Sequence, residues 1–186
     1  MRMRAILWLG GYDFAGFGRG LMHGGSIMNF EAFLRRNQVH FELHKHATTY
    51  TAQGLAQVEH VSGFMVAKPV IVKGDFGFAM CVLPAPDHVD LERVAGLLGE
   101  PDVRLATEAE MGDLFPECEV GAEPPIGPMF GLRTLMDPRL TRDEYLVMQA
   151  GNHHEAVKVR RADWERIARP MVAPLTDRAD GVGRPA

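Results

Sequence analysis

Cysteine is scarce in this sequence, and so are serine, net charge and long apolar runs. The two cysteines, Cys81 and Cys118, cannot form the disulfide framework of a small secreted protein, so we expect a reducing, cytoplasmic location. A formal net charge of −4 does not provide a basic surface that coats DNA, although a local patch for the end of an RNA is compatible with it. Every apolar run falls short of the about 20 residues of a membrane span, so no membrane contact is expected.

The scarcity of nucleophiles argues against covalent catalysis. Ser26 and Ser62 are the two serines, and neither lies in a Gly-x-Ser-x-Gly motif. Cys81 lies in an apolar stretch typical of a core strand, and Cys118 stands between two glutamates whose charge opposes thiolate formation. A mechanism with a serine or cysteine nucleophile is therefore not expected.

The composition, 46% hydrophobic and 24% charged, is that of one ordinary globular domain with a substantial core. Residues 1–27 are rich in glycine and show no hydrophobic period, so we predict a flexible extension there. The domain is predicted over residues 28–177, and residues 178–186 are predicted to form a loose tail.

Hydrophobic periods and capping residues predict short helices interleaved with short strands. The predicted helices cover residues 30–36, 52–59, 90–98, a short segment after Thr107, and 163–169. The predicted strands cover residues 39–46, 64–73, 77–84, 103–106, 132–136, 145–149 and 156–159. Because the order shows no regular βαβ period, we predict an α/β (α+β) fold with a mixed, barrel-like sheet surrounded by helices, and not a doubly wound fold.

The stretch Gly121-Ala122-Glu123-Pro124-Pro125-Ile126-Gly127-Pro128 is the most rigid part of the sequence. Proline fixes φ and lacks an N–H, and glycine accepts φ values that other residues resist, so neither a helix nor a central strand can run through it. A stiff loop with several N–H groups suits a substrate cradle or an oxyanion hole. A tight connection between two strands explains the same residues.

Three other features are candidates for chemistry. Lys68 interrupts an apolar run, so it either reaches the surface or is held in a cleft for an anion or carbonyl group. The segment Ala150-Gly151-Asn152-His153-His154-Glu155 is either a substrate-binding turn or a hydrophilic hairpin tip. His44 and His46 fall on one strand face, but their spacing matches no standard zinc pattern, so no metal is expected.

These features occur in the order seen in a known family. Ala67-Lys68, the Gly121-x-x-x-Pro125 loop and Ala150-Gly151 together resemble the YbaK/ProX aminoacyl-tRNA deacylases, whose domain also occurs inserted in bacterial prolyl-tRNA synthetases. The resemblance runs from about Met28 to Thr176 and includes the segments 50–53, 82–85 and 103–106. It implies a free-standing enzyme that hydrolyses the ester of a mischarged tRNA carrying a small amino acid, with no metal or cofactor.

The resemblance also implies roles for individual residues. Lys68 would hold the phosphate of the terminal adenosine or the carbonyl region, and the N–H groups of Gly121 and Ala122 would stabilise the oxyanion while water attacks with help from a ribose hydroxyl. Glu123 would contribute its N–H rather than its carboxylate. The remaining substrate-binding candidates are Glu123, Pro124, Pro125, Gly127, Gly151, Asn152, His153, His154, His46 and Tyr50.

Two alternatives stay open at this stage. The chain could be a non-catalytic module of the same fold that binds the acceptor end of an aminoacyl-tRNA or an aminoacyl-tRNA synthetase. It could also be a metal-dependent hydrolase that uses the histidines. Ile126, where the family often has phenylalanine, and Pro69 after Lys68 are departures that bear on specificity.

Overall fold

The computed structural model describes residues 30–177. The extension predicted for residues 1–27 and the tail predicted for 178–186 lie outside the described residues, as does Asn29, the expected cap of the first helix. Within residues 30–177, none of the helices combines the length and the apolar character needed to cross a membrane. The α-helices are α1 Phe30–Arg36, α2 Ala52–Val58, α3 Leu91–Leu98, α4 Glu108–Leu114 and α5 Arg161–Ala168.

The strands form two sheets. Their bounds are β1 Phe41–Lys45, β2 Ala67–Gly74, β3 Gly77–Pro84, β4 Arg104–Leu105, β5 Arg133–Met136, β6 Tyr145–Gln149, β7 Glu155–Arg160 and β8 Met171–Val172. One sheet has the order β1-β7-β6 and is antiparallel throughout. The other has the order β4-β2-β3-β5-β8, in which β3, β5 and β8 run parallel and the remaining pairs run antiparallel.

A single parallel bridge between Val66 and Val147 connects the two sheets at the start of β2. The prediction of a mixed α+β fold is thus confirmed, and the barrel-like arrangement takes the form of two sheets joined at this bridge. The main core lies between them, because side chains from both sheets, α1 and α5 pack into one cluster. A second cluster fills the space between the other face of the five-stranded sheet and α3.

Helices α2, α3 and α4 begin where a polar side chain accepts a hydrogen bond from a free N–H group of the first turn. Thr51 accepts a hydrogen bond from Gly54 at the start of α2, and Asp90 accepts one from Arg93 at the start of α3. Thr107 and Glu110 form the predicted capping box of α4. Gly99 ends α3 with a left-handed φ of 73°, as predicted from its place after Leu98.

The predicted elements need a few changes at their ends. The strand predicted from residue 64 begins at Ala67, because Ser62 caps a 3₁₀ turn over Gly63–Met65. Two further 3₁₀ helices, Gly127–Phe130 and Pro138–Arg142, start at or near prolines and were not predicted. The two-residue strand β8 was also missed, since a pairing this short leaves no hydrophobic period.

Candidate active site

The loop of residues 121–127, called the Gly/Pro loop below, is held firmly at its far end. The indole N–H of Trp164 on α5 donates to the carbonyl of Pro125 at 3.0 Å, and Ile126 is fully buried in the main core. A Cβ on Gly127 would lie 2.6 Å from the carbonyl oxygen of Leu132, so only glycine fits there. At the near end, Gly121 has a φ of 89°, which favours glycine for conformational reasons.

Three N–H groups of the Gly/Pro loop already have acceptors in the loop or just before it. Gly121 donates to Oε1 of Glu123 at 2.9 Å, Ala122 donates to the carbonyl of Glu119 at 2.9 Å, and Ile126 donates to the carbonyl of Pro124 at 2.8 Å. A substrate oxygen would have to share or replace these acceptors. The oxyanion role of Gly121 and Ala122 therefore stays a prediction.

The side chain of Glu123 differs from the sequence-based expectation. We expected Glu123 to contribute its N–H alone, but its side chain is buried, with the residue only 2% exposed, and its carboxylate binds the N–H of Gly121. Burial raises the pKa of Glu123 above its usual value. The N–H groups of Gly121 and Glu123 and the nearby His153 lower the pKa, but burial is the larger effect. The carboxylate is thus a structural part of the Gly/Pro loop.

The turn between β6 and β7, residues 150–154, is joined by two backbone hydrogen bonds to the Gly/Pro loop and to Glu119 just before it. Gly151 donates to the carbonyl of Ala122 at 2.9 Å, and Glu119 donates to the carbonyl of Gly151 at 2.9 Å. Gly151 has a φ of 96°, and Asn152 accepts a hydrogen bond from the N–H of His154. Two stretches that the sequence separates by more than twenty residues therefore form one unit.

His153 lies at the centre of this unit and is 8% exposed. Its Nε2 lies 3.2 Å from the carbonyl oxygen of Val120, so Nε2 carries the proton. Its Nδ1 then accepts a hydrogen bond from the side-chain amide of Gln149 at 3.3 Å. Both ring nitrogens are therefore engaged by protein groups, and these contacts link the turn to β6 and to the residue before the Gly/Pro loop.

The segment before α2 closes one side of the site. Thr49 and His46 donate their N–H groups to the carbonyls of His153 and His154 at 2.9 and 3.0 Å. The ring of Tyr50 packs at 4.7 Å from the ring of His153 and is otherwise open, with the residue 73% exposed. Nδ1 of His46 donates to the carbonyl of Ala47 at 2.8 Å, which leaves the lone pair on Nε2, and that atom is buried without a partner among the described residues.

Lys68 lies at the start of β2, and its ammonium group is half-buried. It donates to the carbonyl of Ala85 at 3.1 Å and to the carbonyl of Asp87. Burial lowers the pKa of Lys68, and the charge of Asp87 opposes that shift. An ammonium group has three donors, so the two carbonyls leave one for another acceptor.

Lys68 is connected to the other candidates through β6 rather than by its own hydrogen bonds. Val66 and Val147 form the parallel bridge between the sheets, and Lys68 and Gln149 each follow two residues after a bridge partner. Gln149 in turn binds His153 and the carbonyl of Thr49. The structure thus groups the loop, the turn, His46 and Tyr50 by direct contacts, whereas Lys68 is related to them through the bridge between β2 and β6.

A buried ionic network supports the carbonyl that holds Lys68. The guanidinium of Arg139 binds Asp87 at 3.0 Å and Asp137 at 2.9 Å, and it donates to the hydroxyl of Thr176 at 2.6 Å. Burial alone would raise the pKa of Asp137, but hydrogen bonds from Arg139 and Leu175 lower it. Sequence reasoning missed this network, because its residues come from three distant segments and share no motif.

A cavity of about 560 Å³ opens behind the Gly/Pro loop. Pro124, Gly151 and Asn152 line it, together with the phenyl rings of Phe30 and Phe130. Its carboxylates repel a phosphate and are compatible with an ammonium group. These carboxylates are Glu31, Glu117, Glu119 and Glu155.

The sequence matches the aminoacyl-tRNA editing domain over residues 46–167. The chain belongs to this family. The matched segment contains every candidate residue of the site, from His46 to His154. A search of curated proteins found none that matches.

Solved structures share the fold of this editing domain. A protein proposed to be a trans-editing enzyme for prolyl-tRNA synthetase has a TM-score of 0.70 at 21% identity, over 77% of this chain and 92% of its own. The hypothetical protein APE2540 has a TM-score of 0.71 at 21% identity, over 79% and 98%. A scaffold protein used for computational grafting of epitope backbones has a TM-score of 0.71 at 19% identity, over 80% and 94%.

The rings of His44, His46 and His153 form hydrogen bonds to protein groups. Nδ1 of His44 contacts the carboxylate of Glu59 at 2.5 Å, while His46 leaves the strand and turns toward Ala47. Within residues 30–177, no three His, Cys, Asp or Glu side chains are grouped so as to hold a metal ion.

Proposed function

We propose that this editing domain is a free-standing deacylase that hydrolyses the ester of a mischarged aminoacyl-tRNA carrying a small amino acid. The observation that carries the proposal is the match to the editing family over residues 46–167, a segment that includes the candidate residues from His46 to His154. Within that segment the Gly/Pro loop, the β6–β7 turn and Tyr50 surround His153.

Two exposed or half-exposed groups are suited to the acceptor end of the tRNA. The ring of Tyr50 is open on one face, and aromatic rings stack on the bases of single-stranded RNA ends. The remaining donor of Lys68 is suited to a phosphate oxygen of the terminal adenosine or to the substrate carbonyl. The carboxylates behind the Gly/Pro loop are compatible with the α-ammonium group of the amino acid.

The chemistry needs positioning more than a strong protein base. An aminoacyl ester is activated, so orientation of an attacking water and stabilisation of the oxyanion supply much of the required acceleration. Water would attack the carbonyl carbon with help from a hydroxyl of the terminal ribose, and negative charge would develop on the carbonyl oxygen. The bond between the carbonyl carbon and the ribose oxygen would then break, the departing ribose oxygen would take up the proton, and the free amino acid would be released. The N–H groups of Gly121 and Ala122 would donate to the oxyanion as it forms while they keep their acceptors in the loop region, so that each N–H is shared between two oxygens.

One observation favours a second candidate, a module of the same fold that binds the tRNA end or a synthetase without hydrolysis. The N–H groups of Gly121 and Ala122 are engaged in the loop and do not form an open oxyanion hole. A binding module would need no such hole.

A panel of radiolabelled mischarged tRNAs, incubated separately with the purified full chain, tests the proposal. We expect accelerated release of one small amino acid from its tRNA, above the spontaneous rate, and slower release from correctly charged tRNA. No acceleration for any member of the panel would contradict the deacylase and favour the binding module.

A further inference from the structure

We propose that Glu123 is a positioning residue of the editing site, whose carboxylate holds the peptide group of Gly121 in place for hydrolysis. This inference rests on the proposed function. From the sequence, only the backbone N–H of Glu123 was expected to contribute, whereas the inference concerns its side chain.

The geometry assigns the carboxylate a specific task. Oε1 of Glu123 accepts the N–H of Gly121 at 2.9 Å, two residues earlier in the chain, and Gly121 has a φ of 89°. The far end of the loop is anchored independently by Trp164 and Ile126. At the near end, the backbone of Ala122 is held by hydrogen bonds with Glu119 and Gly151, and the hydrogen bond to Glu123 is the side-chain contact that holds Gly121 itself.

The groups around the Glu123 carboxylate determine its charge, and the strength of the hydrogen bond to Gly121 depends on that charge. Among the described residues, its charged form is favoured by the N–H groups of Gly121 and Glu123 and by His153, and burial opposes it. The Cys118 thiol lies close by, with a pKa raised to about 11 by burial and by the charges of Glu123 and Glu117. Glu119 faces the same unit through the N–H of His153.

An ionised carboxylate accepts a hydrogen bond more strongly than a protonated one. Protonation of Glu123 should therefore loosen Gly121 and reduce the time for which the loop is aligned with the ester. Glutamine keeps an acceptor oxygen in the same place without titrating, and alanine removes the acceptor.

The test compares wild type, Glu123→Gln and Glu123→Ala in hydrolysis of the responsive mischarged tRNA, with folding checked by circular dichroism. We expect Glu123→Ala to lower kcat about tenfold with little change in KM, which corresponds to one lost charge-assisted hydrogen bond. Glu123→Gln should keep most of the turnover. The matched control is Glu100→Gln, because the Glu100 carboxylate also accepts backbone N–H groups, at the distant β2–β3 turn. It should leave kcat unchanged.

The pH dependence separates positioning from a direct role in proton transfer. The ratio of wild-type to Glu123→Gln turnover should fall as the pH is lowered through the pKa of Glu123, because protonation weakens the wild-type hydrogen bond to Gly121. Equal loss in Glu123→Gln and Glu123→Ala would overturn the inference in favour of a general base, and unchanged kcat in Glu123→Ala would overturn it outright. If Glu123→Ala does not fold, the pH ratio with Glu123→Gln decides alone.

A second measurement distinguishes failure of this inference from failure of the proposed function. The amide proton of Gly121 in an NMR titration should shift with pH in wild type and not in Glu123→Gln. Absence of that difference overturns the inference whatever the activity. A titrating Gly121 in a protein that hydrolyses none of the tRNAs would overturn the deacylase and the catalytic part of the inference together.

Discussion

At the scale of single residues, two lysines on the same strand allow a matched test of the charge at the site. Lys68 and Lys73 both lie on β2, but Lys68 contacts backbone carbonyls at the site, whereas Lys73 forms a salt bridge with Glu110 at 2.7 Å. We expect Lys68→Met to lower turnover about 10²-fold or more, since it removes a cation that meets phosphate or developing negative charge. Lys73→Met should leave turnover nearly unchanged. Equal turnover in the two variants would contradict the assignment of Lys68 to the site.

A second residue-scale prediction concerns pH and stability. The hydrogen bond with Glu59 raises the pKa of His44, against its partial burial, and Glu42 adds to the rise. A raised histidine pKa means that the stabilisation is fully present below the ordinary value of 6.5 and is lost as the pH rises through the raised value.

The melting temperature should therefore fall more in His44→Gln than in His40→Gln at acidic pH, and the difference should shrink at alkaline pH. His40→Gln removes an exposed histidine just before the same strand and serves as the control. A difference that grows with pH would contradict the assignment of the His44–Glu59 pair.

At the scale of elements, the glycines of the Gly/Pro loop are required for different reasons. A Cβ on Gly121 would meet nothing closer than 3.9 Å, so alanine there is strained by its φ of 89°, at a cost of about 1–2 kcal/mol. A Cβ on Gly127 would lie 2.4 Å from the Thr134 hydroxyl and 2.6 Å from the Leu132 carbonyl oxygen, and the backbone cannot yield easily.

Gly127→Ala should therefore lower the free energy of unfolding more than Gly121→Ala, and Gly121→Ala should lower turnover more than its stability loss explains. Gly99→Ala is the control, because Gly99 has a φ of 73° with open space around it and lies at the end of α3. Urea unfolding and single-turnover hydrolysis measure the two effects. Equal loss of turnover in Gly121→Ala and Gly99→Ala would contradict a role of the loop in catalysis and favour a simple connection between two strands.

Elements with local sequence signals could be predicted, whereas contacts between distant elements could not. Helices with side-chain caps, such as α2 after Thr51, and the hairpin around Gly74 and Gly77 could be predicted because their signals are local. The contact between Gly151 and Ala122 could not, since it depends on how the two sheets meet. The buried Glu123 carboxylate was missed for a related reason, because glutamate is usually exposed and only the packed loop shows its partner.

At the scale of the whole molecule, the bridge between the sheets and the buried network beside it place the site. Val66 and Val147 join the sheets, and Arg139 ties the segment after β3 to the chain after β5 and to Thr176 near the end of the described residues. Both features lie beside Ala85 and Asp87, whose carbonyl groups accept hydrogen bonds from Lys68. The candidate site thus lies where the two sheets meet rather than on a single element.

The most direct test of the deacylase asks whether the whole protein accelerates hydrolysis of the ester or slows it. Mischarged tRNA in tenfold excess over the full chain is followed by acid precipitation, beside a reaction without protein. The account predicts release of many equivalents of amino acid per protein, faster than the spontaneous rate and lost in Lys68→Met. Release at or below the spontaneous rate, together with binding of the same tRNA, would contradict it, because a module that only binds shields the ester from water.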